Sequence, residues 1–187
     1  MEMLGFTVLG MLMTTTLVVI WSRKFSFLGQ RPANFADKGP AFDLRTHLSG
    51  PILCEGMIYG PTGKVTSRFV ADMDVQWTGN VGVMREEFFY DCGDRQQRQW
   101  TLTLGNDGSI KAEADDVVGL GTGMQQGPAV MLNYRIRLPE SSGGYELDAV
   151  DWMYLVENGT IMNRSQFRKY GIKVAELVAT MRKKEAA

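Results

Sequence analysis

The first part of the chain is a run of apolar residues. Residues Met3–Trp21 include no charged side chain, and Arg23 and Lys24 follow the run after Ser22. A helix of this length reaches about 28 Å, which is close to the thickness of the hydrocarbon core of a bilayer. The pattern therefore predicts a transmembrane helix, and we interpret residues 1–24 as a membrane anchor.

A second pattern, in which hydrophobic and polar residues alternate, begins at about residue 46. It is clearest in Lys64–Trp77, where one set of alternate positions is almost entirely apolar and the other is mostly polar. A period of two indicates a β-strand with one buried face and one solvated face. The turn at Gly60–Gly63 suits a hairpin with an earlier strand at Leu48–Tyr59.

Similar strands and turns follow along the rest of the chain. They predict eight or so antiparallel strands in consecutive hairpins, which can hide their edges by closing on themselves. The tail Ile172–Lys184 has apolar residues at helical spacing and predicts a short amphipathic helix. The expected fold is all-β: a lipocalin-like up-and-down barrel or strongly curved meander sheet, with an N-terminal transmembrane helix and a short C-terminal helix. A β-sandwich is the alternative.

The predicted organisation has three parts: the anchor at residues 1–24, a linker or surface segment at 25–45, and the barrel domain at 46–187. A cleaved signal peptide is the alternative to the anchor. Only Met1 and Glu2 precede the apolar run, so the basic segment of a secretory signal is missing, and no small-residue cleavage site follows. We therefore expect a retained, single-pass helix. The basic residues after it favour a cytoplasmic domain by the positive-inside rule.

Composition argues against several classes of function. The chain has 20 basic and 21 acidic residues and no basic tract, so nucleic-acid binding is not expected. His47 is the single histidine, which argues against histidine-rich metal sites and a Ser-His-Asp centre. We predict no metal site, no cofactor and no catalytic residue. Cys54 and Cys92 are interpreted as buried free thiols on strands, with a disulfide as the alternative.

Two carboxylates stand in phase with apolar strand positions and would point into the barrel. They are Asp116 and Asp151, and burial of a carboxylate is costly unless it is paired. We expect Arg164 to be the partner of Asp151. Such a group would act as a structural ion-pair cluster, as a polar anchor for a ligand headgroup, or as an acid–base pair. The predicted cluster, with its further arginine candidates, is Arg68, Asp116, Arg135, Asp151 and Arg164.

The domain is rich in aromatic side chains, most of which we interpret as core. A subset would line a ligand cavity, and the candidates are Phe69, Trp100, Tyr134 and Trp152. The stretch Gly119–Gly123 superficially matches a phosphate-binding loop, but it lacks the Lys-Ser/Thr ending and a following helix. We interpret it as a glycine-rich bend between two strands.

Several short segments occur in a specific order and spacing, although none is diagnostic alone. They are Gly63–Phe69 with Asp72, Glu87–Asp91, Trp100, Ala114–Gly119 with Gly121–Gly123, Asn133–Arg135, Asp151–Tyr154, Met162–Arg164 and Lys169–Gly171. Together they resemble an uncharacterised bacterial family, the domain of unknown function 3833. The resemblance covers about residues 45–184.

This resemblance implies a small protein of Gram-negative bacteria, in a family with many exported lipoproteins and no established activity. It also implies genes for cyclopropane-synthase-type fatty-acid modification nearby, and therefore lipid-linked work. The present chain has an apolar helix but no lipidation cysteine beside it, so the helix looks like a substitute anchor. We expect an inner-membrane protein and favour a periplasmic location for its domain. The basic residues beside the helix favour the cytoplasmic side instead.

Three hypotheses about function follow. The first is a membrane-anchored lipocalin-like module that binds an acyl chain or other apolar ligand and supports membrane fatty-acid or lipid modification. Its partners would be the lipid bilayer and that ligand. The alternatives are a structural or assembly component of the bacterial envelope, and a lipid-acting enzyme with Asp116 and Asp151 as acid–base groups. An enclosed cavity would favour the first hypothesis.

Overall fold

The structure, a computed structural model, describes residues 2–184 and contains ten antiparallel strands that close into one barrel. Met1 and residues 185–187, which belong to the predicted anchor and barrel domain, lie outside the described residues. Helix α1 spans Glu2–Phe25 and the short helix α2 spans Leu44–His47. The strands are β1 Gly50–Tyr59, β2 Val65–Thr78, β3 Val81–Tyr90, β4 Arg95–Leu104, β5 Ser109–Glu113, β6 Gly121–Gln126, β7 Ala129–Arg137, β8 Glu146–Leu155, β9 Ile161–Lys169 and β10 Ile172–Lys183.

The barrel has up-and-down topology. Each strand pairs with its neighbours along the chain, and β10 closes the barrel by pairing with β1. Alternate residues point inward, as in β2, where Phe69, Ala71, Met73 and Val75 are buried and the residues between them are more exposed. The predicted all-β barrel is confirmed, and the β-sandwich alternative is excluded.

The C-terminal helix predicted at Ile172–Lys184 is wrong. This segment is strand β10, which covers the open edges of both β1 and β9. Without β10, the edges of β1 and β9 would each leave a row of backbone donors and acceptors unpaired. Pairing these groups stabilises the strand more than the local spacing of apolar residues stabilises a helix. A register shift between Lys173 and Ala175 also breaks the simple alternation that marks the other strands. The strand number is therefore ten and not eight.

Residues 26–48, called here the N-terminal segment, lie on the barrel. Phe27 is buried against the outer face of β8. Farther along, Phe42, Leu44 and Leu48 are buried in the main core. The indole nitrogen of Trp77 donates to the Leu48 carbonyl oxygen at 2.8 Å. Helix α2 thus covers one end of the barrel, called the closed end, and the opposite end is called the mouth.

Among the side chains that the structure describes, helix α1 contributes none to the buried core. Its residues Met3–Trp21 are exposed. The helix is long and apolar enough to cross a membrane, and a signal sequence near an N-terminus can have the same length and composition. The buried hydrophobic clusters lie within residues 27–181. The barrel without residues 1–24 therefore keeps the whole of these clusters.

The two cysteines differ in environment. Cys54 is buried in β1, whereas Cys92 is exposed in the turn between β3 and β4, and both thiols are free. The interpretation of two buried strand thiols is therefore wrong for Cys92. A tight turn places its side chain outside the barrel wall.

Candidate functional site

The barrel encloses a cavity of about 100 Å³. Most of its wall is apolar, and it contains three of the four predicted cavity aromatics, Phe69, Trp100 and Tyr134. Methionine side chains are flexible and adapt to irregular apolar shapes. The methionines that line the cavity are Met73, Met84, Met153 and Met181.

The fourth predicted aromatic, Trp152, does not line the cavity. It lies on the outer face of β8, 1% exposed, and packs under the N-terminal segment. The Phe35 ring lies 5.5 Å from it between ring centroids. Because adjacent residues of a strand point to opposite faces, an inward Asp151 requires an outward Trp152. The prediction that Trp152 lines the cavity is therefore wrong.

A polar pair lies inside the barrel at the cavity wall. Glu86 of β3 and Arg98 of β4 face each other in register on neighbouring strands. Glu86 is 8% exposed. Its Oε2 atom and the Nη2 atom of Arg98 are buried and have no hydrogen-bond partner among the described residues. A buried polar atom without a partner costs about 1–3 kcal/mol, so these two atoms mark the place where a ligand group would be stabilised.

Arg98 also connects to Asp116 and to the aromatic wall. Its Nε atom donates to Asp116 Oδ1 at 3.0 Å, and the guanidinium lies 4.2 Å from the centroid of the Trp100 ring. Trp100 in turn meets Tyr134 edge to face at 5.1 Å. Asp116 therefore reaches the interior group, although from the turn after β5 and not from a strand position.

Asp151 points into the barrel, as its phase predicts, but its partners are polar side chains of β9. Its Oδ1 atom accepts hydrogen bonds from Asn163 Nδ2 at 2.5 Å and from Ser165 Oγ at 2.8 Å. Burial raises the pKa of Asp151, and these two hydrogen bonds oppose that effect. The carboxyl also borders the cavity, so part of its surface stays accessible from within the barrel.

The predicted partner, Arg164, is not near this carboxyl. It lies between Asn163 and Ser165 in β9 and so points outward, where it pairs with Glu176 at 2.6 Å and stacks over Phe27. The pairing of Asp151 with Arg164 is therefore wrong. The two further arginine candidates are also exposed in outer ion pairs, Arg68 with Asp91 and Arg135 with Asp148. Of the five predicted cluster residues, the structure brings only Asp116 and Asp151 to the interior group.

Four interior polar residues were missed by sequence reasoning: Glu86, Arg98, Asn163 and Ser165. A signal for two of them exists in the sequence. Glu86 has the phase of Met84, and Arg98 has the phase of Trp100, Leu102 and Leu104. The alternation of inward and outward positions, continued through these polar residues, predicts that both side chains point into the barrel.

Electrostatics within the interior favour neutral forms. Burial raises the pKa of Glu86 to about 7, against the lowering effect of Arg98. Burial, with Asp151 as the next cause, raises the pKa of the Tyr134 hydroxyl. Burial, and then the charge of Glu86, raises the pKa of the Cys54 thiol to about 12. This thiol is a poor nucleophile at neutral pH, because the thiolate is the reactive form.

The two carboxylates that were predicted as an acid–base pair are both held by hydrogen-bond partners. Asp116 is bound to Arg98, and Asp151 is bound to Asn163 and Ser165. These bonds are typical of residues that hold a wall in place.

The barrel wall is discontinuous beside Arg98. Strands β4 and β5 pair only from Thr101 to Leu104, so among the described strands Arg95–Trp100 have no partner on that side. The loop 114–120 fills the opening. It is fixed to β7 by backbone hydrogen bonds, including Val118 N to Arg135 O at 2.8 Å. It is joined to β4 by the Arg98–Asp116 ion pair, with a shortest distance of 2.8 Å.

A second, wider cleft of about 700 Å³ lies on the outside of β2–β4. Its lining is mainly charged or amide side chains. Asp72, Arg85 and Gln97 point away from the barrel, whereas Glu86 and Arg98 border both this cleft and the interior cavity. Ligand sites are usually enclosed and mostly apolar with a few polar groups. The interior cavity fits this description and the outer cleft does not, so the interior is the candidate site.

Comparisons with known proteins support the fold. The structure is similar to an S-type phycobiliprotein lyase from Guillardia theta, with a TM-score of 0.58 and 11% identity over 75% of this chain and 90% of that one. A Bacteroides fragilis protein with a YmcC-like fold gives a TM-score of only 0.34, with 10% identity over 70% of this chain and 94% of that one. No curated protein matches the chain.

A family model matches much more of the sequence than the ordered segments alone. The match runs over residues 23–183, and so it includes the N-terminal segment that packs on the barrel as well as all ten strands. The chain therefore belongs to DUF3833, a family of proteins of unknown function.

Proposed function

We propose that this protein is a membrane-anchored barrel that binds an apolar ligand, such as an acyl chain, in its interior. The observation that carries the proposal is the enclosed cavity, whose apolar wall ends at two buried polar atoms without partners. An apolar tail and a polar end are the two parts of a ligand that would complement this arrangement.

The cavity volume of about 100 Å³ accommodates a short alkyl segment. A longer chain requires movement of the methionine side chains or extension towards the mouth, where Ile58, Phe88 and Leu177 are only half-buried. Unbranched methionine side chains change rotamer at little cost. The wall composition therefore favours a site that adapts to its ligand.

The anchor belongs to the same proposal. Helix α1 has the length and composition of a membrane span, and it leaves the barrel core intact. A retained helix would hold the barrel beside the bilayer that supplies its ligand. Family resemblance to exported lipoproteins supports a bacterial inner-membrane location with a periplasmic barrel, in support of membrane fatty-acid or lipid modification.

The barrel without residues 1–24 should bind octan-1-ol. Burial of most of its alkyl chain, at about 0.8 kcal/mol per methylene, gives a dissociation constant on the order of 0.1 mM. Leu177→Trp should weaken this binding tenfold or more, because Leu177 lines the cavity and the larger indole would occupy it. Calorimetric titration measures both affinities.

Val178→Trp is the matched control, since Val178 follows Leu177 in β10 and points to the outer face. It should bind octan-1-ol as the unmodified barrel does. Equal affinities in all three proteins would contradict binding in the interior.

A further inference from the structure

The two unpartnered polar atoms of the interior have opposite hydrogen-bonding character. Glu86 Oε2 is an oxygen that accepts, and Arg98 Nη2 is a nitrogen that donates. Their residues face each other on neighbouring strands, where Cβ atoms lie about 4.5–5.5 Å apart. Both residues line the cavity. A single small group that donates and accepts would satisfy both atoms at once.

The charge at this place is already balanced. Arg98 is the only basic residue among the described residues that line the cavity, and it is bound by Asp116. Glu86 faces the same guanidinium. A ligand carboxylate would add another acid to this one cation, and it has no proton to donate to Glu86. The free-energy cost of removing this carboxylate from water would therefore not be offset by new interactions.

An ammonium group is unsuited for the complementary reason. It has three donors and no acceptor, so it leaves Arg98 Nη2 without a partner. It would also stand beside the Arg98 guanidinium. The second interior carboxyl, Asp151, already accepts two hydrogen bonds on one oxygen, and burial favours its neutral form.

We infer that the interior site selects ligands whose polar end is neutral and both donates and accepts hydrogen bonds, such as a primary amide or a hydroxyl. Carboxylate and ammonium groups on the same alkyl chain are discriminated against. This inference rests on the proposed function, because it names the class of ligand that the same cavity takes. A free fatty acid is then a poor ligand, whereas an uncharged derivative of one is a good ligand.

The test compares octanamide, octanoate and octylammonium in calorimetric titrations of the barrel without residues 1–24 at pH 8, above the pKa of Glu86, which is raised to about 7. Octanamide should bind at least tenfold more tightly than either ion. Glu86→Met replaces the acceptor with an apolar side chain of similar size and should reduce the preference for octanamide about tenfold. Glu55→Met is the control, since Glu55 is in an exposed ion pair with Arg182, and it should leave the ranking unchanged.

The outcomes separate this inference from the proposed function. Octanoate or octylammonium binding as tightly as octanamide would overturn the inference, while binding of octan-1-ol would still support an apolar interior site. A ranking that survives Glu86→Met would also overturn it, because the discrimination would then arise elsewhere. Binding of none of the four compounds would overturn both.

Discussion

Trp152→Ala should destabilise the barrel by about 3–5 kcal/mol, the usual cost of removing a fully buried aromatic side chain. Trp152 is 1% exposed, and its ring stacks on Tyr154 and contacts Phe35 of the N-terminal segment. The Tyr154 hydroxyl donates to Gln30 in the same segment at 2.8 Å. Loss of the indole should therefore release the segment as well as lower the free energy of unfolding. Urea denaturation of the barrel without residues 1–24 measures the stability change.

Limited trypsin digestion reports the release of the segment, since Lys38, which is followed by Gly39, lies within it. Cleavage after Lys38 should be faster in Trp152→Ala than in the unmodified barrel. Tyr145→Ala is the control, because Tyr145 is an aromatic residue with 52% of its surface exposed. It loses only a cation–π contact with Lys169, so its effect should be within about 1 kcal/mol. A Trp152→Ala barrel with unchanged stability and unchanged cleavage would contradict the packing of the segment on β8.

Glu86→Gln should make the barrel more stable at pH 8 while leaving its stability at pH 5 nearly unchanged. The pKa of Glu86 rises from 4.5 to about 7 in the folded protein, chiefly through burial. Between these values the folded protein holds a proton that the unfolded chain has released. The free energy of unfolding therefore falls as pH rises through this window, by up to about 3 kcal/mol. Glutamine resembles the protonated acid at every pH, so it removes this loss.

Denaturant titrations at pH 5, 6, 7 and 8 measure the effect. Asp151, whose pKa is also raised, contributes a fall in the same direction that Glu86→Gln does not remove. Glu176 acts at the acid end, because its pKa is lowered to about 2 by Lys173 and other partners against its burial, and its contribution is lost as pH falls below about 4.5. Glu113→Gln, at an exposed residue, is the control. Parallel stability profiles for Glu86→Gln and the unmodified barrel would show that Glu86 titrates normally.

Regular strands could be predicted well from the sequence, because local alternation alone determines them. The predicted strand at Lys64–Trp77 differs from β2, Val65–Thr78, by one residue at each end. The tail could not be predicted in the same way. Its conformation depends on the unpaired edges of β1 and β9, which are far from it in sequence, and local spacing does not record such edges.

In the candidate site, too, some features follow from local alternation and others depend on contacts that are distant in sequence. The inward direction of Asp151 follows from the phase of its own strand, and period two should equally have placed Trp152 and Arg164 outside. The position of Asp116 beside Arg98 could not be derived from phase, because Asp116 lies in the turn that fills the gap between β4 and β7. The partners of Asp151 depend on which residues of β9 face it, and this depends on the register of β8 with β9.

The central claim, that the barrel holds an apolar ligand inside, is tested most directly by NMR of the barrel without residues 1–24, labelled at methionine methyl groups. With octan-1-ol added, intermolecular NOEs should connect the alkyl chain to Met84 and Met153, which line the cavity. The exposed outer methionines Met57 and Met162 provide the comparison in the same sample and should show none. NOEs confined to Met57 and Met162, or absent from Met84 and Met153 at saturating octan-1-ol, would contradict the claim.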